Sequence, residues 1–416
     1  MKYVIIGNSA AAVGCIEGIR KTDKTGEILL FSDEKQATYS RPLISYWLKG
    51  KVTDKNMYYR PENFYEKNAV TTRLGIKVTA MDAKGKTLTL SDGEKVKYDK
   101  LLVATGSRPF VPPIEGVSDC KSAVTFLSWD SAIQLKSMIN EKSRVIVLGA
   151  GLIGLKVAEG LAGHVGTLSI VEMAPHLMPS VLDDKGALMV QKHIEKSGVQ
   201  FVFGDSAAKV GTSAGENALT LGSGKKLPFD VLVVAAGVRP NVELVKDAGG
   251  EVGRGVVIDE RMRTTLDSVY SAGDCVEAVD VVTGARRIMA LLPNAYMQGE
   301  AAGINMAGGD SDFSKAMPMN AIGFFGLPLV TAGSYDGEEY LEEGDGFYKK
   351  LVFKDDRLVG YILIGDVDRA GIYTAIIREK IDLRGVDIEL LKKRPQLMLF
   401  GKADRKRILA GGGIAE

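Results

Sequence analysis

The sequence predicts an α/β fold: two Rossmann-like nucleotide-binding domains followed by a C-terminal α+β domain. Three observations carry that prediction. A strand, glycine turn and helix occur twice, a second pair of matching segments follows them, and the texture changes near Ala316. The 416 residues suit about three domains at roughly 150 residues apiece.

The first pattern opens with Tyr3-Val4-Ile5-Ile6, a short apolar run suited to a strand covered on both faces. Gly7 to Ala12 make the turn, a helix continues to Arg20, and Glu27 to Phe31 form the next strand. The second pattern runs from strand Arg144–Leu148 through the turn at Gly149–Gly154 and a helix toward Leu161 to strand Thr167–Val171. Downstream of each lies a matching segment: Leu102-Val103-Ala104-Thr105-Gly106-Ser107-Arg108-Pro109, and Val233-Val234-Ala235-Ala236-Gly237-Val238-Arg239-Pro240. Both end an apolar strand in small residues, which lets the backbone pass close to a ligand at the strand's carboxyl end. A period far beyond ~50 residues means related domains and not a solenoid. Thr264 to Asp274 read as a further strand, ending in Gly273-Asp274. Past Ala316, residues 347–354 and 357–364 flank Asp355-Asp356 as a hairpin, residues 367–380 read as a helix, and 411–416 as a frayed tail.

The chemistry sits in the turns. Gly149, Gly151 and Gly154 form a complete GxGxxG between strand and helix. The first glycine permits the tight turn, the second admits a pyrophosphate to the backbone, and the third lets helix and strand pack closely. The helix opening at Leu152 and Ile153 then offers free N–H groups and partial positive charge to phosphate. Glu172 ends the next strand 18 residues after Gly154. A carboxylate there binds the adenosine ribose diol and repels a 2′-phosphate, which favours NAD(H) over NADP(H). The N-terminal turn is a variant, Gly7-x-Ser9-x-x-Ala12 with Ala10 inside it. Its small side chains preserve the geometry, and the Ser9 hydroxyl can donate to a phosphate. Its acidic partner is Asp33 or Glu34.

Composition excludes several classes. Lys plus Arg (53) and Asp plus Glu (52) cancel, so charge gives no reason to expect nucleic acid or an anionic membrane as partner. Three cysteines, at 15, 120 and 275, have no metal-ligand or disulfide-framework spacing. His164, His176 and His193 have none either. The apolar run of MKYVIIG is too short for a signal peptide, and no membrane span is expected; cytoplasmic location is the expectation.

In order along the chain, GxSxxA, ATGSRP, GAGLIG, AAGVRPN and YSAGD resemble the FAD-dependent pyridine nucleotide–disulfide oxidoreductase superfamily over essentially the whole chain. Tyr39-Ser40-Arg41-Pro42-Leu43-Ile44-Ser45 is similar to its branch of rubredoxin, ferredoxin and nitrite reductases. The resemblance implies an FAD-binding domain from residues 1–117 and 243–315, an NAD(H)-binding domain at 118–242, and an interface domain at 316–416 that makes a homodimer. It implies that Ala104, Thr105, Gly106 and Arg108 border the FAD, and that Arg41 and Pro42 line it. Asp274, beside Gly273, would bond its ribityl–pyrophosphate region. Ala236 and Gly237 take the equivalent place in the second domain. Pro293-Asn294-Ala295 opens a helix whose start would face the flavin pyrimidine edge, where it stabilises negative charge.

Departures from the family sharpen the expected activity. Disulfide reductases need two suitably spaced cysteines, and the segment after Tyr39 has none. Cys15 reads as a core residue, Cys275 as packed near the cofactor, and Cys120 as inert. Tyr46 stands where some reductases have Lys, and Lys156 where relatives often have Glu; Lys156 reads as solvated, with a place near the nicotinamide as the alternative. Lys392-Lys393-Arg394 with Lys402, Arg405, Lys406 and Arg407 form a basic cluster, either a solvated face or a dock for an acidic carrier. With no catalytic side chain required, the expected activity is hydride exchange with NAD(H) and single-electron exchange with an iron–sulfur protein, rubredoxin or ferredoxin in type. The alternatives are an electron-transfer subunit serving a partner redox enzyme and, weakened by the missing cysteine, an NADH oxidase or peroxidase.

Overall fold

The computed structural model describes residues 1–213 and 215–410; the tail predicted at 411–416 lies outside them. The chain divides into two compact units. The first comprises residues 1–178, 195–278 and 286–314; the second comprises 179–194, 279–285 and 315 onward.

Two parallel five-stranded sheets organise the first unit. In one, Lys2–Ile6 lies between Glu27–Ser32 and Lys100–Val103, with Val70–Leu74 and Val269–Ser271 at the edges. In the other, Arg144–Leu148 lies between Thr167–Glu172 and Val231–Val234, with Val199–Phe203 and Ala123–Thr125 outside. The predicted strands and turns recur at the same relative places in both. Apolar runs such as Val4-Ile5 and Val145-Ile146-Val147 are buried because helices and loops cover parallel sheets on both faces. The two repeated segments pair with each other: Ser107–Pro109 runs antiparallel to Val238–Pro240, Arg108 opposite Arg239.

Helices Ala10–Thr22 and Leu292–Met306 pack backbone to backbone. A Cβ on Gly14 would come 2.2 Å from the Tyr296 carbonyl oxygen, and one on Gly299 2.0 Å from that of Ala11. Cys15 lies wholly buried in this contact, its Sγ 3.7 Å from Met306 Sδ, and burial pushes its thiol far up.

Two differences from the sequence reading have local causes. The strand expected from Thr264 is confined to Val269–Ser271, since Ser268, just before it, adopts left-handed backbone that breaks extension. Two three-stranded antiparallel sheets, Val78–Asp82/Thr87–Leu90/Lys95–Lys97 and Ala207–Ser213/Glu216–Leu221/Lys226–Pro228, had no counterpart in it.

The second unit is built on an antiparallel five-stranded sheet in the order Met319–Phe324, Leu327–Gly333, Arg357–Ile364, Phe347–Lys354, Glu338–Gly344. The predicted hairpin turns at Asp355 and Asp356, both at positive φ, as a two-residue turn between twisted strands demands. The expected helix spans Ala370–Arg378 and covers a core that includes Leu351, Tyr361, Leu363 and Ile376. Asp183, just before the helix from Asp184, accepts from Tyr348 Oη at 2.7 Å and from Lys350 Nζ at 3.2 Å in this unit. No helix among the described residues is long and apolar enough to cross a membrane.

Candidate functional site

Both glycine turns lie at the carboxyl ends of the central strands of their sheets. Gly7 and Gly149 sit at φ +112° and +105°, and a Cβ would meet the carbonyl oxygen of Ala104 at 2.1 Å and of Ala235 at 2.5 Å. Only glycine fits either place. In the second turn a Cβ on Gly154 would come 1.9 Å from the Gly149 carbonyl oxygen, whereas one on Gly151 would meet nothing within 4 Å. The strand thus closes against the helix and leaves open space beside Gly151. That is the cradle a pyrophosphate requires. Leu152 and Ile153 open the helix, and the Glu172 carboxylate accepts from Ala150 N–H and Ala174 N–H, each at 2.8 Å. Ala236 follows the adjoining strand, and Gly237 adopts φ +110°.

The first turn opens on a cavity of about 730 Å³, within the range of small-molecule and cofactor sites. Of the sequence candidates, Gly7, Ser9, Ala10, Asp33, Glu34, Arg41, Ala104, Thr105, Gly106, Arg108, Gly273, Asp274 and Ala295 line it. Ala12 is buried in its helix, Pro42 belongs to a short 3-10 turn, and Pro293 and Asn294 open a helix that reaches the cavity through Leu292 and Ala295. Ser9 caps the first helix without donating or accepting a side-chain capping bond.

Electrostatics divide the two acidic candidates of the second strand. Glu34 pairs with Arg41 and accepts from Tyr39 Oη at 2.6 Å; Asp33 is exposed on the cavity wall. Burial opposes the Arg41 charge, but Tyr39 and Glu34 outweigh it and raise its pKa. Burial also lifts the Asp274 carboxyl above its ordinary value, against the pull of Arg41. Thr105 Oγ1 donates to the Asn241 carbonyl oxygen at 2.8 Å, and Arg108 pairs with Glu243 at 2.7 Å. Their side chains therefore tie the two repeated segments together. Gly273 N–H donates to Gln298 Oε1 at 2.9 Å, joining the Gly-Asp turn to the helix behind it.

Several wall residues carry no motif and went unread in the sequence. Lys77 to Thr79, Leu127, Ser128 and Leu244 reach the cavity through tertiary folding alone. Lys156 requires a correction: it is not solvated but packed against Tyr46 and Glu159, its side chain 13% exposed. Cys275 is fully buried, Sγ 3.4 Å from the Ala272 carbonyl oxygen and 3.5 Å from Ser271 Oγ, its pKa raised by burial. Among the described residues no group of three or more His, Cys, Asp or Glu side chains could hold a metal ion.

Comparison with known proteins matches residues 1–299 to the pyridine nucleotide-disulphide oxidoreductase family, and residues 318–381 to the rubredoxin NAD+ reductase C-terminal domain. The chain is 34% identical to the NADH-dependent phenylglyoxylate dehydrogenase subunit epsilon of Aromatoleum evansii, over 92% of both chains. It is 33% identical to an NADH oxidase of Methanocaldococcus jannaschii over 88% of both. Identity to the rubredoxin-NAD(+) reductase of Alcanivorax borkumensis is 30%, covering 87% of this chain and 94% of that one. The covalent putidaredoxin reductase–putidaredoxin complex superposes with a TM-score of 0.86 at 23% identity, covering 99% of this chain and 98% of the matched one, a likeness of fold.

Proposed function

The chain belongs to the pyridine nucleotide-disulphide oxidoreductase family, and we propose that it is an FAD-containing oxidoreductase working between NAD(H) and an iron–sulfur electron carrier of rubredoxin or ferredoxin type. One observation carries this reading: a single compact unit holds both a cavity at the Gly7 turn and an open cradle at the Gly149 turn, with no cysteine pair between them. When bound, FAD and NAD(H) supply the chemistry, a hydride exchanged between them and single electrons exchanged with the carrier.

The protein's own part is to bind, orient and exclude water. Backbone N–H groups at Asn8 to Ala10 and at the N-terminus of helix Leu152–Leu161 would take the two pyrophosphates. Asp33 is assigned the FAD ribose in preference to Glu34, whose carboxylate is committed to Arg41 and Tyr39. Glu172 is assigned the NAD(H) ribose; its two N–H partners hold it at the strand end and leave lone pairs for the diol. Asp274 and Arg41 set the charge of the cavity, and the first turn of helix Leu292–Met306 adds the positive end of its dipole. No side-chain acid or nucleophile is required. Residues 1–117 with 243–315, 118–242 and 316–416 are assigned as FAD, NAD(H) and interface domains of a cytoplasmic homodimer.

A second reading has its own support. Alignment over 92% of both chains with the epsilon subunit of a dehydrogenase favours an electron-transfer subunit that serves a partner redox enzyme. Anaerobic stopped-flow tests the reading common to both: NADH should bleach the flavin faster than NADPH. Bleaching by NADPH alone would refute the nicotinamide assignment. Co-purification with a stable partner enzyme would select the subunit reading.

A further inference from the structure

A buried charge pair sits where the two nucleotide-binding segments meet. Lys156, early in helix Leu152–Leu161, places Nζ 2.5 Å from Glu159 Oε2 and 3.1 Å from Tyr46 Oη, with the Tyr46 ring centroid at 4.3 Å. The lysine and glutamate side chains are 13% and 7% exposed. Tyr46 belongs to the short helix Ile44–Leu48, close behind Arg41 of the cavity wall. The helices touch through backbone as well: a Cβ on Gly160 would lie 2.9 Å from the Ser45 carbonyl oxygen.

Stability alone is a poor reason for this arrangement. Withdrawing two charges from water is often repaid no better than by apolar side chains of the same volume. An oriented pair, however, has a field. Its ammonium is the end that contacts Tyr46, on the element adjoining the cavity. At an effective dielectric of about 20, a unit charge shifts an equilibrium roughly tenfold at about 12 Å.

We propose that Lys156 is a positioning residue: held by Glu159 and Tyr46, its ammonium fastens the nucleotide helix to the cavity wall and biases the bound flavin toward its electron-rich reduced form. The proposal rests on the reading that the cavity holds FAD and the Gly149 turn NAD(H).

The test is the flavin midpoint potential of the full-length flavoprotein, measured with a chemical reductant. Lys156→Met, which leaves the Glu159 charge unopposed, should make reduction about tenfold less favourable, a shift of about 30 mV for a two-electron couple. Glu159→Gln, which removes the negative charge beside that ammonium, should shift the potential the opposite way. The double variant should fall between them, and Lys156→Arg should restore the wild-type value. Shifts of the same sign in Lys156→Met and Glu159→Gln, or none in either, would overturn the proposal. Should Lys156→Met fail to hold FAD, Glu159→Gln and Lys156→Arg still decide it. Because a chemical reductant supplies the electrons, wild-type protein that ignores NADH would defeat the functional reading separately.

Discussion

The turns at Gly7 and Gly149 are two versions of one device in different surroundings. Their leading glycines share a backbone conformation and sit over equivalent carbonyls, those of Ala104 and Ala235. They diverge at the two later positions. Ala12 stands, fully buried, where the second turn has Gly154 and no room for a Cβ; Ser9 stands where the second has Gly151 beside open space. The first helix is also packed backbone to backbone against Leu292–Met306, whose first turn shares the cavity wall. The glycine pattern fixes how a chain turns toward phosphate, and the neighbouring elements fix how far the ligand is enclosed. A cavity walled by several elements suits a resident cofactor, and an open cradle suits one that exchanges.

That contrast can be broken most sharply at Gly151. Gly154→Ala should damage folding, because its Cβ strikes the Gly149 carbonyl, whereas Gly151→Ala has room in the free protein. Gly151→Ala should therefore fold and keep FAD while displacing the pyrophosphate, lowering the efficiency of flavin reduction by NADH about 100-fold. Equal loss of FAD and of NADH response in Gly151→Ala would erase the distinction between the turns. Next in size is Glu172→Ala. Losing a charge-assisted hydrogen bond to the ribose should weaken NADH about 10- to 100-fold and narrow its advantage over NADPH, with FAD content unchanged. Unchanged NADH titrations would remove Glu172 from the site.

A smaller effect is expected at Asp274, whose carboxyl pKa burial has raised. The sign follows from linkage. A folded pKa above the unfolded value favours the protonated group in the folded state, so the contribution is fully present below the unfolded value, about 3.9, and lost as pH rises through the folded one. At neutral pH the ionised group is a cost. Asp274→Asn should therefore raise the melting temperature of FAD-stripped protein at neutral pH and lose that advantage on acidification, while binding FAD less tightly. A lower melting temperature at neutral pH would reverse the assigned sign. Smallest of all, Cys275→Ala should leave NADH-dependent bleaching within about twofold, because the thiol is enclosed by Ala272 and Ser271 in the core. A large loss would restore a redox role to that cysteine.

The legible parts of the molecule were those fixed by local constraint. Positive φ restricts Gly7 and Gly149 to glycine, and burial on both faces makes Val4-Ile5 and Val145-Ile146-Val147 uniformly apolar, so both turns and both central strands could be read directly. Asp355-Asp356 between two apolar runs likewise announced its hairpin. The two small antiparallel sheets escaped in part because Lys95-Val96-Lys97 and Lys226-Leu227-Pro228 are three residues long, the first with one buried residue to mark it and the second with none. Cavity residues such as Thr79, Ser128 and Leu244 come from three distant stretches whose convergence no local pattern encodes. Lys156 was misread for the same reason: its burial depends on helix Ile44–Leu48, more than 100 residues earlier in the chain.

The most direct test of the account is single-turnover reoxidation of NADH-reduced protein, offered rubredoxin, ferredoxin, a disulfide and oxygen separately. An iron–sulfur carrier should restore the flavin spectrum fastest and end reduced by one electron per molecule. Fastest reoxidation by the disulfide, or by oxygen with water as product, would contradict the account.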